Sequence, residues 1–237
     1  MQIYELIQKP RACSYIPQEK ALFHYLFIEK CTYEFYEKLL QRGWRRFGKY
    51  FFVPICEKCD SCISIRQDCE NFSFSKSQKR ILKHPFSVGI GKPTITDRHL
   101  ELYRQYHQKM NNKKGWEYEG ISLDAYYDTF VSGHEEFGLE FDYYIDGLLV
   151  GVALVDVLPD SISAVYCYYD HDYAKYSIGT YSILKQIEIA KEYNIKYLYP
   201  GYWIKNHLSM GYKEKFRPFE ILLNRPTLDE KPLWVKE

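Results

Sequence analysis

Three cysteines, Cys56, Cys59 and Cys62, form a C-x2-C-x2-C run, a spacing that lets thiolates meet one metal ion. A fourth ligand must come from elsewhere. Cys69 is the local candidate, but six residues separate it from Cys62 and no Pro follows, so the ferredoxin spacing is not met. Seven cysteines are an odd number in a chain of 237 residues, long enough to need no disulfide staples. Reduced thiols or metal ligands in a cytosolic protein are expected, with Cys31 and Cys167 as ordinary buried cysteines.

Cations gather locally. Arg42, Arg45, Arg46 and Lys49 lie together with no acid among them, as do Lys76, Lys79, Arg80 and Lys83. Lys109, Lys113 and Lys114 add a third, smaller group, whereas residues 116–146 hold nine acids and no Lys or Arg. Such patches suit phosphate or carboxylate, the planar Arg fork being able to bond both oxygens of a carboxylate. A net charge of only +1 argues against a protein that coats nucleic acid.

The elements that must position these groups follow from periodicity. Tyr33–Arg42 is a short helix stopped by Gly43, and Trp44–Ile55 has strand composition up to Pro54. In a strand, Arg45 and Arg46 point to opposite faces, so at most one can face a cleft. Ser77–Lys83 is a short helix broken at His84-Pro85, and Gly89–Pro93 is a connector. Asp97–Met110 is helical, with Leu100, Tyr103, His107 and Met110 on one face, and Ser122 caps a helix over Leu123–Val131. Phe141–Ile145, Leu148–Val157 and Ile162–Tyr169 are strands joined by Asp146-Gly147 and Pro159-Asp160, both hairpin signals. Ser177–Thr180 opens a helix striped by Ile183, Leu184, Ile187 and Ala190; Ile195–Tyr199 and Phe219–Leu223 are further strands. Antiparallel strands feeding a glycine turn, a helix and another strand make an α/β (α+β) fold in the order of the acetyltransferase-like (GNAT) fold, a mostly antiparallel mixed sheet flanked by helices. Hydrophobic residues make up 46%, enough for a sizeable core, and 24 Tyr, 14 Phe and 4 Trp suggest rings lining a cleft. The opening Met1–Lys9 lacks an apolar signal segment, and no run approaches the ~20 apolar residues of a membrane span.

Seven blocks stand in order: Cys13-Ser14-Tyr15-Ile16-Pro17; Gly43-Trp44-Arg45-Arg46-Phe47-Gly48; Pro54 through Cys62; Ser75 through Arg80; Asp156 through Asp160 with Tyr168-Tyr169-Asp170; Gly179 through Leu184; and Gly201-Tyr202-Trp203-Ile204 with Tyr212-Lys213 and Phe216-Arg217-Pro218. Together they resemble the aminoacyl-tRNA–protein transferases of the N-degron pathway, and the short length resembles their bacterial leucyltransferase branch. The resemblance implies transfer of Leu from Leu-tRNA to proteins that begin with Asp or Glu, marking them for degradation in the cytoplasm, with no membrane and no DNA partner. An arginyltransferase on the same scaffold, an acetyl-CoA-dependent N-acetyltransferase and a non-catalytic RNA-binding module stay as alternatives. Residues 1–90 form an N-terminal region with the cysteines and basic patches, and 91–237 the transferase domain.

The resemblance also nominates site residues. Arg45, Arg46, Lys79, Arg80 and Arg217 are candidates for the acceptor's carboxylate. Ser177, Gly179 and Thr180, at a helix N-terminus that favours anions, and Lys113 and Lys114 are candidates for tRNA. Asp170, with Tyr168 or Tyr169, is expected to handle protons at the end of its strand; His171, in an Asp-His-Asp turn, is expected to be solvated. Trp44 and Trp203 are candidates to stack the terminal adenine. Cys13 joins Cys56, Cys59 and Cys62 as a metal ligand for Zn or an iron–sulfur cluster, although the eukaryotic relatives' second cysteine is absent from Cys13-Ser14-Tyr15-Ile16. No cofactor is required, because an aminoacyl-tRNA is already an activated ester.

Overall fold

Helix α1 (Tyr33–Gln41) begins where the Thr32 hydroxyl accepts the Phe35 N–H at 3.2 Å, and it ends ahead of Gly43 at φ +84°. The same logic starts α2 (Lys76–Ile81) at a Ser75–Gln78 capping box, α3 (Asp97–Lys114) at Thr96 and α4 (Leu123–Phe130) at Ser122. Helix α5 (Ile178–Glu192) starts differently: Ser177 is left-handed, φ +54°, and supplies no side-chain cap. In this computed structural model residues 1–115, 118–133 and 135–237 are described; Trp116, Glu117 and His134, all in the acid-rich stretch, lie outside the described residues.

The strands are β1 (Ile3–Ile7), β2 (Arg11–Ala12), β3 (Lys20–Ala21), β4 (Phe23–Ile28), β5 (Arg45–Phe47), β6 (Tyr50–Pro54), β7 (Ile63–Asp68), β8 (Ser87–Gly91), β9 (Gly138–Ile145), β10 (Leu148–Val157), β11 (Ser161–Tyr169), β12 (Tyr197–Trp203), β13 (Glu220–Leu222) and β14 (Trp234–Lys236). A small sheet runs β1-β4-β6-β5, and β2 pairs with β3. The large sheet runs β14-β13-β7-β12-β11-β10-β9-β8; β11 and β12 are its parallel pair and its other pairs are antiparallel. The mixed, mostly antiparallel α/β arrangement expected from the sequence is therefore present.

Two expectations change. Gly89–Pro93, taken as a connector, contributes to β8, an edge strand paired with β9 from Ser87↔Tyr144 to Gly91↔Glu140. Its glycines carry no strand propensity, and the pairing comes from its neighbour's exposed ladder. The boundary at residue 90 is not a break in the fold, because β7, from the N-terminal region, lies between β12 and β13.

The core forms on both faces of β10, whose near-continuous apolar run is buried throughout its interior. On one face Val150, Ala153 and Val155 pack with Leu184 and Ile187 of α5; on the other Val152 and Leu154 pack with Leu102 of α3 and Phe130 of α4. Each such Val, Leu, Ile or Phe side chain contributes about 1.5–3 kcal/mol on burial. The small sheet joins through Tyr36, Phe51 and Phe137. Among the described residues no helix is long and apolar enough to cross a membrane.

Candidate active site

Strands β11 and β12 run parallel only from Ser161↔Tyr197 to Ser163↔Tyr199 and then part. An extra residue in β11 at Val165, where Leu154 faces Tyr166 and Val155 faces Ala164, bends that strand away. The gap opens into a cleft of about 600 Å³. At its apex the carbonyls of Ala164 and Tyr199 have lost their ladder partners. Arg45 from β5 fills the place: its guanidinium donates to Tyr199 O at 3.1 Å and to Ala164 O at 2.6 Å. Burial lowers the Arg45 pKa, yet Arg keeps its proton.

Lys213, on the 3-10 turn Gly211–Lys215, reaches the same apex and donates to Tyr202 O at 2.6 Å. Arg45 and Lys213 are 7% and 5% exposed, and neither has a carboxylate partner among the described residues. Gly201 makes room for both. Its φ is +95°, and a Cβ there would stand 3.3 Å from Lys213 Nζ and 3.8 Å from Arg45 Nε. A Pro200-Gly201 pair inside a strand pattern is the sequence trace of such a close approach. Nothing in the sequence marks Lys213 as buried: it sits among Lys215 and Arg217 in a stretch that looks like solvated surface.

The walls supply the rest. The first turn of α5 presents Ser177, Gly179 and Thr180 to the cleft, where the leading N–H groups of that helix have no intrahelical partner. Lys113 and Lys114, at the end of α3, line the opposite rim. Between them Tyr106, Tyr169 and His171 form an aromatic group, with ring centroids 5.2–5.3 Å apart. His171 is thus half-buried on two tyrosines rather than solvated, and burial, followed by Lys113 and Lys109, lowers its pKa.

Other nominated residues lie elsewhere. Arg46 points away from Arg45 and makes a bidentate pair with Asp156, Nε–Oδ2 2.8 Å and Nη2–Oδ1 2.6 Å, both side chains fully buried. The Tyr36 hydroxyl donates to the same carboxylate at 2.6 Å. Alternation of side chains lets at most one of the two guanidinium groups face the cleft: Arg46 borders the cleft but turns its guanidinium to Asp156, and that of Arg45 reaches the apex. Lys79 and Arg80 are exposed on α2, and Arg217 covers the Phe219 ring 5.0 Å from its centroid; none of the three lines the cleft. Tyr168 is buried behind β11, its hydroxyl 2.5 Å from that of Tyr126. Asp170 caps the turn after β11, accepting from Asp172 N–H at 3.0 Å, and faces Arg98 at 3.6 Å. The pair expected to handle protons is therefore a core phenol and a helix cap, whereas Tyr169 does line the cleft. Trp44 and Trp203 are buried against His24 and Phe219.

Cys13, Cys56 and Cys59 surround Cys62, and burial, then these neighbours, push its thiol up to about 12. Cys56, Cys59 and Cys62 border a second cavity, where Arg225 donates to Cys59 O at 2.9 Å. Among the described residues, the one trio of His, Cys, Asp or Glu ligand atoms lying within 4.8 Å of one another is His99, Glu140 and Asp142, an imidazole facing two carboxylates at 3.3 and 3.5 Å. As placed, the thiols are not at the mutual spacing of ligands to one ion.

Sequence comparison shows the family of the chain. Two profiles of one family match: "Arginine-tRNA-protein transferase, N terminus" over residues 11–80 and "Arginine-tRNA-protein transferase, C terminus" over residues 98–223. The aspartate/glutamate leucyltransferase of Helicobacter hepaticus is 53% identical over 236 residues, 99% of this chain and 98% of its own. That of Campylobacter jejuni is 40% identical over 227 residues, 94% and 95% of the two chains. The crystal structure of FemX resembles this fold with a TM-score of 0.50 at 9% identity, covering 83% of this chain and 68% of FemX.

Proposed function

Because this chain belongs to the arginine-tRNA-protein transferase family and is an aminoacyltransferase closely similar to aspartate/glutamate leucyltransferases, we propose that it moves Leu from Leu-tRNA to the α-amine of proteins beginning with Asp or Glu. The observation that carries this reading is the cleft apex, where the buried Arg45 guanidinium stands beside the buried Lys213 amine and, among the described residues, neither has a carboxylate partner. An acidic side chain entering there meets Arg45 donors not used by Tyr199 and Ala164. The tRNA end enters between α3 and α5: Gly179 and Thr180 N–H groups take a phosphate, Lys113 and Lys114 neutralise others, and Tyr106, Tyr169 and His171 offer faces for the terminal adenine.

The chemistry asks little beyond placement. The acceptor amine, with a pKa near ~8, is partly neutral at pH 7. Orienting it against the ester supplies on the order of 7–11 kcal/mol of the barrier. No metal or cofactor is needed for such a step. We read β9–β12 with α5 as an acetyltransferase-like core, a reading supported by the splayed parallel pair and the helix that begins at the splay. Division of labour near residue 90 is supported by the two profiles falling on either side of it. Leucylation of this kind marks its acceptor for degradation in the cytoplasm, where charged tRNA is available.

The decisive experiment offers an Asp-initiated peptide and a mixture of charged tRNAs to the protein. Mass spectrometry should find the mass of one leucyl group added; an argininyl mass would reassign the donor, and no addition would sink the reading.

A further inference from the structure

Lys213 is buried at the cleft apex with little polar company, whereas Lys113 and Lys114 at the rim are exposed. Its Nζ donates to one carbonyl, Tyr202 O, and its next neighbour is the Met210 sulfur at 3.9 Å. An ammonium carries three donors, whereas a neutral amine has two and a lone pair, so this pocket suits the neutral form better than the charged one. The charged and titratable groups that act on it are Arg45 from β5 and the Cys62 thiol from the segment before β7; Tyr15, Tyr202, Tyr212 and His171 also line the cleft, the Tyr202 phenol donating to Gly43 O. Burial, then the charge of Arg45, bring Lys213 down to about 7.

We propose that Lys213 is the proton carrier of the transfer, an inference that rests on the reading of the preceding section. As the neutral α-amine of the acceptor attacks the leucyl carbonyl carbon, the Lys213 amine takes one of that nitrogen's two protons. The new C–N bond forms and the bond from that carbon to the ribose oxygen breaks. The Lys213 ammonium gives its proton to the departing ribose oxygen, so the products are an amide and a free hydroxyl, and Lys213 returns to the neutral amine. Arg45 cannot do this, since it never gives up its proton. Tyr202 O holds the amine in place, and Gly201 keeps the approach open.

The test compares wild type, Lys213→Met and Lys213→Arg in single-turnover transfer from Leu-tRNA to an Asp-initiated peptide between pH 6 and 9. Two groups must be neutral in wild type, the acceptor amine and Lys213. The logarithm of kcat/KM should therefore fall with a slope of about 2 below pH 7. In both variants only the acceptor amine titrates: the slope should drop to about 1, with a rate loss of roughly 10²–10⁴-fold at pH 8. Lys213→Arg keeps the charge without the base, so its retention of near-wild-type rate would overturn the proposal. Should Lys213→Met fail to fold, the wild-type profile still decides, because a slope of 1 there refutes a second titrating base. A wild type that transfers Leu with slope 1 removes this inference alone; a wild type that transfers no Leu removes the preceding reading and this one together.

Discussion

At the scale of single residues the site depends on two side chains kept apart from acids and on one residue without a side chain. Replacing Gly201 with Ala puts a Cβ into a left-handed backbone and against Lys213 Nζ. Such strain costs about 1–3 kcal/mol, to be read by urea unfolding, and the displaced Lys213 should lower kcat/KM at least ten-fold. Arg45→Met should lose discrimination between Asp- and Ala-initiated peptides, measured as the ratio of their kcat/KM values; an unchanged ratio would show that the carboxylate is received elsewhere. Away from the cleft, His99 gives a pH signature. Burial opposes its charge, but Asp142 and Glu140 outweigh that and hold it up at about 9, above the ordinary 6.5. Its contribution to stability is fully present below pH 6.5 and is lost as pH rises through about 9. Urea unfolding should show a decline of up to a few kcal/mol across that window, absent in His99→Gln. How much of this was legible beforehand differs from residue to residue. Arg45 and Tyr169 could be nominated because residue type and block order pointed to them. Lys213 stands in one of the same ordered blocks, but its burial is decided by the turn that folds it inward, which nothing in the sequence marks; Asp170 is nominated by block order and by its place at a strand end before an anion turn.

At the scale of elements, regular periodicity was readable and pairing partners were not. The helices α1, α3, α4 and α5 and the hairpin of β9 and β10 follow from capping residues, apolar stripes and Asp146-Gly147. Strand β7 is invisible in a Cys-, Ser- and Arg-containing segment because it is held by neighbours on both sides rather than by its own propensity. The Arg46–Asp156 pair is the bolt between β5 and β10, and Tyr36 of α1 shares it. Removing one partner strands a buried charge, so Asp156→Ala should cost about 3–5 kcal/mol in denaturant unfolding, while a slow, stable variant would show that the ion pair is dispensable. Cys59→Ser should keep Leu transfer within a few-fold of wild type, and elemental analysis of anaerobically purified protein distinguishes zinc, iron with sulfide, or neither.

At the scale of the whole molecule the proposed function asks only a few cations, Lys113 and Lys114 among them, to meet the tRNA. Filter-binding titrations with Leu-tRNA should give a log–log salt slope of about 2–4, since each phosphate contact contributes a little under one. The interleaving of the large sheet has a separate consequence, for synthesis. Strand β7 leaves the ribosome long before either β12 or β13, the two strands that will flank it, exists. At about 5–20 residues per second the wait is on the order of ten seconds, during which both of its edges are open to any other extended chain. Overexpression that outruns chaperone capacity should therefore send this protein into inclusion bodies through its N-terminal third, and slowing translation or lowering temperature should recover soluble enzyme without any change in sequence.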